Sequence, residues 1–205
     1  MQIEPRMIEL KATTLFDVSE YMIQKSSEFD HGGQLDGLLW IDFAPLAAGT
    51  WGTNPTFIVQ ASDMASGDYW LEVARRSVTV NPTVFTVGAA GAALAATTIP
   101  VKEDADALVP GEILYALLAS GHRLADRHWY TVNYGTKDDD VIYLVDGIRQ
   151  ALVEDDTLIR GAQQFAVPIS LATGRRLRVL CSYVDGGSGP DFHWRAALLA
   201  SMRTG

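Results

Sequence analysis

The fold is decided near the end of the chain, by RRLRVLCSYV at 175–184 and FHWRAALLA at 192–200, which flank the glycine-rich DGGSGPD at 185–191. Side chains of a β-strand alternate between two faces, so every second residue shares a face. In both runs one of the two faces is apolar. Two such runs around a glycine-rich segment predict a β-hairpin with one buried face.

The two faces of this predicted hairpin differ in chemistry. The buried face takes Leu177, Val179, Cys181 and Tyr183 from the first run and Phe192, Trp194, Ala196 and Leu198 from the second. The opposite face collects four basic side chains, Arg176, Arg178, His193 and Arg195. On a chain of formal net charge −9, this basic stripe is the first candidate for contact with a partner subunit. We interpret it as an interface and not as an active site.

The rest of the chain supplies partner strands for these two runs. Short apolar runs, separated by Gly, Pro, Asn and Asp, lie at 38–43, 56–61, 69–74, 78–80, 84–87 and 164–169. No amphipathic helix of three turns stands out between residues 31 and 96. Short strands at this spacing predict an all-β fold, a jelly-roll-like antiparallel β-sandwich.

Residues 97–162 differ in character from the runs on either side. They hold twelve acidic and six basic residues, and so carry −6 of the net charge of −9. We interpret them as a small acidic β module, inserted into a sandwich that 31–96 and 163–205 form. The alternative is a single domain in which these strands join the main sheets. Residues 1–30 are set apart as an N-terminal arm, in which 17–23 fits a short helix and an extended chain equally well.

The bulk composition is that of an ordinary folded protein, with 205 residues, 48% apolar and 20% charged. The acidic balance argues against nucleic acid as a partner. The single cysteine excludes an intramolecular disulfide and a cysteine-rich zinc site. No secretory signal is visible, and the apolar stretch 87–96 is shorter than the roughly 20 residues that span a bilayer. We therefore expect a protein that folds in a reducing cytoplasm and binds no membrane.

No residue pattern indicates catalysis, a cofactor or a metal. The acidic runs 138–140 and 154–156 lack the alternate spacing of a calcium loop, so we interpret both as solvated turns. The four histidines show no metal-ligand spacing. Cys181 shares a face with Val179 and Tyr183, which favours a buried, small apolar residue over a thiol nucleophile. We do not expect an enzyme.

Five tryptophans raise the possibility of glycan binding, because exposed aromatic rings on a sandwich stack against sugars. Trp40, Trp70 and Trp194 lie within strand patterns, and we assign them to the core. Trp51, in the loop GTWGT at 49–53, is the candidate for an exposed contact.

Several short motifs also resemble a known family. They are Leu15-Phe16-Asp17 in the arm, VQASD at 59–63, VPI at 167–169, and RRLRV at 175–179 before a closing alanine-rich strand. In this order they resemble the Bbp16-like capsid cement proteins of tailed bacteriophages, over 31–96 and 163–203. The resemblance implies a jelly-roll-like sandwich without enzymatic activity or cofactor. It also implies a place on the outside of an HK97-type head, as an oligomer that bridges neighbouring major capsid proteins. The block 97–162 departs from the compact family pattern.

We therefore expect a structural virion protein, made in the host cytoplasm and located on the capsid surface. Its expected partners are the major capsid protein and further copies of itself, with contacts from residues 1–30 and the sandwich loops. Binding to the assembled head would stabilise the head by mass action. The alternative is a glycan- or receptor-binding β-sandwich module of a phage tail or spike, with Trp51 as its contact.

Overall fold

The computed structural model describes residues 2–16, 23–30, 36–47, 54–79, 82–118, 129–135, 140–170, 175–183 and 191–204. Within these ranges the chain forms fifteen strands and no helix. The strands pair antiparallel. The prediction of an all-β, antiparallel β-sandwich is confirmed.

The strands, numbered in chain order, form three sheets. The four-stranded sheet has the order β1 (Gln2–Phe16), β15 (Phe192–Thr204), β4 (Asp36–Pro45) and β13 (Gln163–Ser170). The five-stranded sheet has the order β2 (Ile23–Lys25), β14 (Arg176–Ser182), β5 (Thr56–Ser62) and β6 (Leu71–Ser77), and β3 (Phe29–Asp30) also pairs with β14. The six-stranded sheet has the order β7 (Val84–Thr86), β12 (Thr157–Arg160), β9 (Ile113–Leu117), β10 (Trp129–Gly135), β11 (Val141–Leu144) and β8 (Thr98–Pro100).

Contacts divide the chain into two compact units. The sandwich unit comprises Met1–Phe43, Thr50–Val80 and Gln163–Gly205, and the second unit comprises Ala44–Gly49 and Asn81–Ala162. Residues 81–96, which the sequence led us to group with the sandwich, therefore lie with the residues that follow them. The boundary of the inserted module at residue 97 stays a prediction.

In the sandwich unit the four-stranded and five-stranded sheets bury their inner faces in one core. The predicted apolar faces of β14 and β15 are confirmed, since all eight of their side chains are buried in this core. The predicted hairpin is wrong. β14 pairs with β2, β3 and β5, whereas β15 pairs with β1 and neighbours β4, so the two strands belong to opposite sheets.

The first strand of the chain is an integral part of the sandwich. Residues 2–16, which the sequence led us to set apart as an arm, form β1 and pair with β15 from Gln2↔Thr204 to Phe16↔Phe192. The end of β1 stacks its Phe16 ring on Phe192, with the ring centroids 4.6 Å apart. The N-terminal and C-terminal strands thus hold each other at the edge of the four-stranded sheet.

Polar contacts join the two sheets along this edge. The backbone N–H of Ser27, just after β2, donates to the Leu10 carbonyl of β1 at 2.9 Å. The indole N–H of Trp194 donates to Gln24 Oε1 at 2.7 Å, and Gln24 Nε2 donates to the Leu15 carbonyl at 2.9 Å. A buried indole N–H needs such a partner, so Gln24 satisfies Trp194 and links the sheets at the same time.

In the second unit the six-stranded sheet curls until its two outermost strands meet. Val87, after β7, bridges Val101, after β8. On either side of that bridge Gly88 N donates to the Pro100 carbonyl and Lys102 N to the Thr86 carbonyl, both at 2.8 Å. Every second residue points inward and fills the interior, including Phe85, Ile99, Leu114, Val132, Ile142 and Leu158. The result is a curled, barrel-like sheet with a packed core, whose outermost strands are joined by this one bridge.

Candidate interaction surfaces

The four basic residues of the predicted stripe lie on two different surfaces. Arg176 and Arg178 are on the outer face of the five-stranded sheet, whereas His193 and Arg195 are on the outer face of the four-stranded sheet. Because the inner faces of the two sheets share one core, their outer faces point in opposite directions. A single continuous stripe is therefore excluded. Trp51, the fifth candidate, lies outside the described residues.

Arg176 acts as a clamp within the chain. Its guanidinium donates to the Met64 carbonyl at 2.8 Å and the Gly67 carbonyl at 2.6 Å, both in the loop after β5. It also donates to Glu28 Oε2 at 2.9 Å. Only 9% of the side chain is exposed. The planar fork of an arginine suits this arrangement, because it directs several N–H groups at partners that are far apart in the sequence.

Arg178 lies beside this clamp and stacks on Trp70. The guanidinium carbon lies 4.0 Å from the centroid of the Trp70 ring, and that of Arg176 lies 4.7 Å from it. Arg178 Nε donates to Gln60 Oε1 at 2.9 Å. Trp70 had been assigned to the core, but it is half-buried against these two arginines on the outer face. Both guanidinium groups thus make hydrogen bonds and ring contacts within the chain, and Arg178 Nη1 also lies 3.7 Å from Glu28 Oε1.

On the outer face of the four-stranded sheet, burial dominates the electrostatics of β15. Burial lowers the pKa of His193 to about 4, so the imidazole is neutral at physiological pH. Arg195 Nε is buried and has no hydrogen-bond partner among the described residues, and it lies 3.4 Å from Glu9 Oε2. Arg195 and Glu9 thus form an ion pair on this face without a hydrogen bond at Nε.

The same outer face exposes large apolar side chains, and sequence reasoning missed them. Trp40 on β4 is 39% exposed, Met7 on β1 is 53% exposed and Leu199 on β15 is 38% exposed. Met7 and Leu199 are directly opposite each other in the register of their strands. The assignment of Trp40 to the core is wrong, since Leu39, Ile41 and Phe43 point inward instead. The indole N–H of Trp40 donates to Asp42 Oδ1 at 2.6 Å, which fixes the ring on the surface.

A sequence signal for the position of Trp40 did exist. In the run LLWIDF at 38–43 all residues except Asp42 are apolar, so the alternation is nearly hidden. Asp42 lies two residues after Trp40 and therefore shares its face. A carboxylate in mid-strand marks the outer face, which places Trp40 there as well.

Two residues of the sequence motifs considered for chemistry, Cys181 and Asp156, are buried. Cys181 is fully buried, as predicted, and burial raises the pKa of its thiol well above the usual value. Asp156, predicted to lie in a solvated turn, is instead buried and accepts a hydrogen bond from Val153 N at 2.9 Å. Asp138 and Asp139 lie outside the described residues. The described part of the chain brings no three metal-ligating side chains together.

Comparison of the chain with family models, curated proteins and solved structures gives no match. None of the described segments forms a helix with the length and apolarity needed to cross a bilayer. The resemblance to capsid cement proteins therefore stays a prediction, carried by the short motifs alone.

Proposed function

We propose that this chain is a capsid cement, or decoration, protein that binds the outside of a tailed-phage head and stabilises it. The observation that carries the proposal is the outer face of the four-stranded sheet, where Met7, Trp40 and Leu199 are exposed beside Arg195. Tryptophan, methionine and arginine are enriched in protein–protein interfaces, where a few such side chains supply most of the binding energy. A broad sheet face of this composition suits docking onto another protein.

The architecture supports a structural role over a catalytic one. Decoration requires a rigid body with broad contact areas, because each weak contact is repeated many times over a symmetric shell. The paired β1 and β15 support such a body along the face, since they pair over almost the whole of both strands, with register shifts only between Glu9 and Thr14. Binding to the assembled shell, and not to its dissociated subunits, stabilises the shell by mass action.

The proposal is tested by mixing the purified protein with undecorated heads of a tailed phage whose major capsid protein has the HK97 fold. We expect the protein to co-sediment with the heads at a saturable ratio and to raise the temperature at which they rupture. Absence of both effects would refute the proposal.

Substitutions on the outer face of the four-stranded sheet test whether this face binds the head. Met7→Ser combined with Leu199→Ser removes two exposed apolar side chains, and we expect it to weaken head binding about tenfold or more. Met64→Ser combined with Leu71→Ser is the matched control, because it removes the same two side-chain types from exposed positions outside this face. Equal binding of the two double variants would show that the face is not used.

The alternative, a glycan- or receptor-binding module of a tail or spike, is favoured by one observation. Trp40 presents a fixed, exposed indole on a sheet face, which is the geometry that stacks against a sugar ring. If Trp40 is the sugar contact, Trp40→Ala abolishes binding to a glycan array. If the loop predicted from the sequence is the contact, Trp51→Ala abolishes that binding instead. An array without hits for the unmodified protein removes this alternative.

A further inference from the structure

Strand β13 forms one edge of the four-stranded sheet. It pairs with residues 36–43 of β4 along its whole length, from Gln163↔Phe43 to Ser170↔Asp36. No other described strand pairs with its second side. The backbone N–H and C=O groups along that side are therefore unpaired within the described sheet, and such a row can accept a further strand.

The other edges of the sandwich unit carry features that discourage strand pairing. β1 has two register shifts and four charged residues, and β6 has one register shift and three charged residues. β2 and β3 are only three and two residues long. Bulges, charges and short length are the usual protection of an edge strand. β13 differs from all of them, since it is eight residues long and has neither a register shift nor a charged residue.

The proline of β13 indicates which backbone groups point outward. Pro168 has no N–H, and a proline in an edge strand directs its nitrogen away from the neighbouring strand. Backbone groups alternate between the two sides of a strand, so those of Gln164 and Ala166 point the same way as those of Pro168. The outward side thus offers the N–H groups of Gln164 and Ala166, whereas those of Phe165 and Val167 point to β4.

The side chains of β13 suit the approach of another strand. On the inner face, Phe165 and Val167 are only partly buried and pack against the sandwich core. On the outer face, Ala166 and Pro168 are exposed and small. An added strand would therefore cover the remaining apolar surface of the inner row without meeting a bulky or charged side chain in the outer row.

Charge and symmetry indicate that the added strand comes from a second copy of this chain. The net charge of −9 makes two copies repel each other, so an edge without charged residues is where they can approach most closely. In an antiparallel pairing about a two-fold axis at Val167, residues 164–170 of the two copies lie opposite each other. Phe165 then packs beside Ile169 of the copy. Ala166 N–H donates to the Pro168 carbonyl of the copy, so this register tolerates the missing N–H.

We propose that β13 is a self-association edge, through which two copies of the chain pair antiparallel and join their four-stranded sheets into one. The proposal goes beyond the proposed function and does not depend on it. The two-fold axis is perpendicular to the joined sheet, so the outer faces of both copies point the same way. Trp40, which lies opposite Ala166 in the register of β4 and β13, is thereby displayed twice on one surface. Pairing of one strand covers little area, so we expect a weak dimer with a dissociation constant of about 50 µM.

The first test follows the backbone amides of the purified full chain by NMR hydrogen exchange at about 20 µM and about 500 µM. The exchange rates of the Gln164 and Ala166 amides should fall about threefold at the higher concentration, because the unpaired monomer becomes scarcer. The amides of Phe165 and Val167 are bonded to β4 and should exchange slowly at both concentrations. Sedimentation over the same range should show a shift from monomer to dimer. Exchange of the two outward amides that does not change with concentration overturns the proposal, even if a dimer forms.

The second test places a charge on the edge. Ala166→Lys should leave the chain monomeric at about 500 µM. Ala12→Lys is the matched control, because Ala12 is an exposed alanine on β1, at the opposite edge of the same sheet, and this variant should dimerise as the unmodified chain does. Equal dimerisation of the two variants also overturns the proposal. Circular dichroism shows whether Ala166→Lys is folded, and if it is not, the amide exchange of the unmodified chain decides. Neither test contains phage heads, so failure here leaves the proposed function to its own experiment.

Discussion

Replacement of Arg176 by alanine distinguishes a structural clamp from a docking residue. If the side chain exists to contact a partner, its loss leaves the isolated chain as stable as before. If the Arg176 side chain is instead a clamp, its removal releases the loop after β5 and the segment around Glu28. We expect the second result, because its guanidinium bonds two backbone carbonyls and a carboxylate, all within 3 Å.

The magnitude follows from these contacts. Hydrogen bonds from a charged donor contribute about 1.5–3 kcal/mol each when they stay dry. The Met64 and Gly67 carbonyls belong to an exposed loop and can bond water after the substitution, so about 1 kcal/mol for each of three bonds is the better figure. Stacking on Trp70 adds about 0.5–1 kcal/mol. The free energy of unfolding of the sandwich unit should fall by about 3.5–4 kcal/mol, against the 5–15 kcal/mol typical of a domain.

The assay exploits the single cysteine. Cys181 is fully buried in the sandwich core, so the rate of its labelling by a thiol reagent in increasing urea reports the opening of that unit alone. Arg175→Ala is the control, since the neighbouring Arg175 is half-exposed and pairs with a half-exposed Asp30. Such a surface pair contributes 0–1 kcal/mol. If the free energies of unfolding of the Arg176→Ala and Arg175→Ala variants differ by less than about 1 kcal/mol, Arg176 is not a clamp.

Three further predictions concern other parts of the molecule. Gly147→Ala, whose Cβ would lie 2.5 Å from the Ala95 carbonyl oxygen, should destabilise the barrel-like sheet by about 1–3 kcal/mol in a thermal melt, whereas Gly88→Ala, whose Cβ would lie 3.6 Å from its nearest neighbour, should be close to neutral. The imidazole of His193 should titrate near pH 4 by NMR. Because the unfolded chain binds that proton near pH 6.5, stability should fall as the pH drops from about 6.5 to about 4, and His193→Gln should remove this part of the dependence. The Cys181 thiol, whose pKa burial raises, should react with a thiol reagent only after unfolding, and reaction at the native rate of a free thiol would contradict its burial.

Much of the local structure could be predicted because it depends on neighbouring residues alone. The apolar faces of β14 and β15 were correct, since a period of two holds whichever strand lies alongside. Strands β4, β5, β7 and β13 were also found, and β6 was displaced from 69–74 to Leu71–Ser77. Strands β1, β2 and β3, in the segment set apart as an arm, and β12 were missed, and residues 78 and 79 of the predicted strand 78–80 form no strand. The surroundings of the candidate site residues were harder to predict from the sequence. The run around Trp40 is apolar except for Asp42, and this one carboxylate was the only signal for the direction of the Trp40 ring.

The sequence by itself determined that this chain is all-β, which side chains of its last two strands enter a core, and that Cys181 is buried. Only the tertiary structure decided which strands pair. Pairing joins β1 to β15 across almost the whole chain and sends β14 and β15 to opposite sheets, and no local pattern encodes contacts at such separations. For that reason the predicted basic stripe divides between two outer faces. The exposed apolar side chains of β1, β4 and β15 come together on one of them.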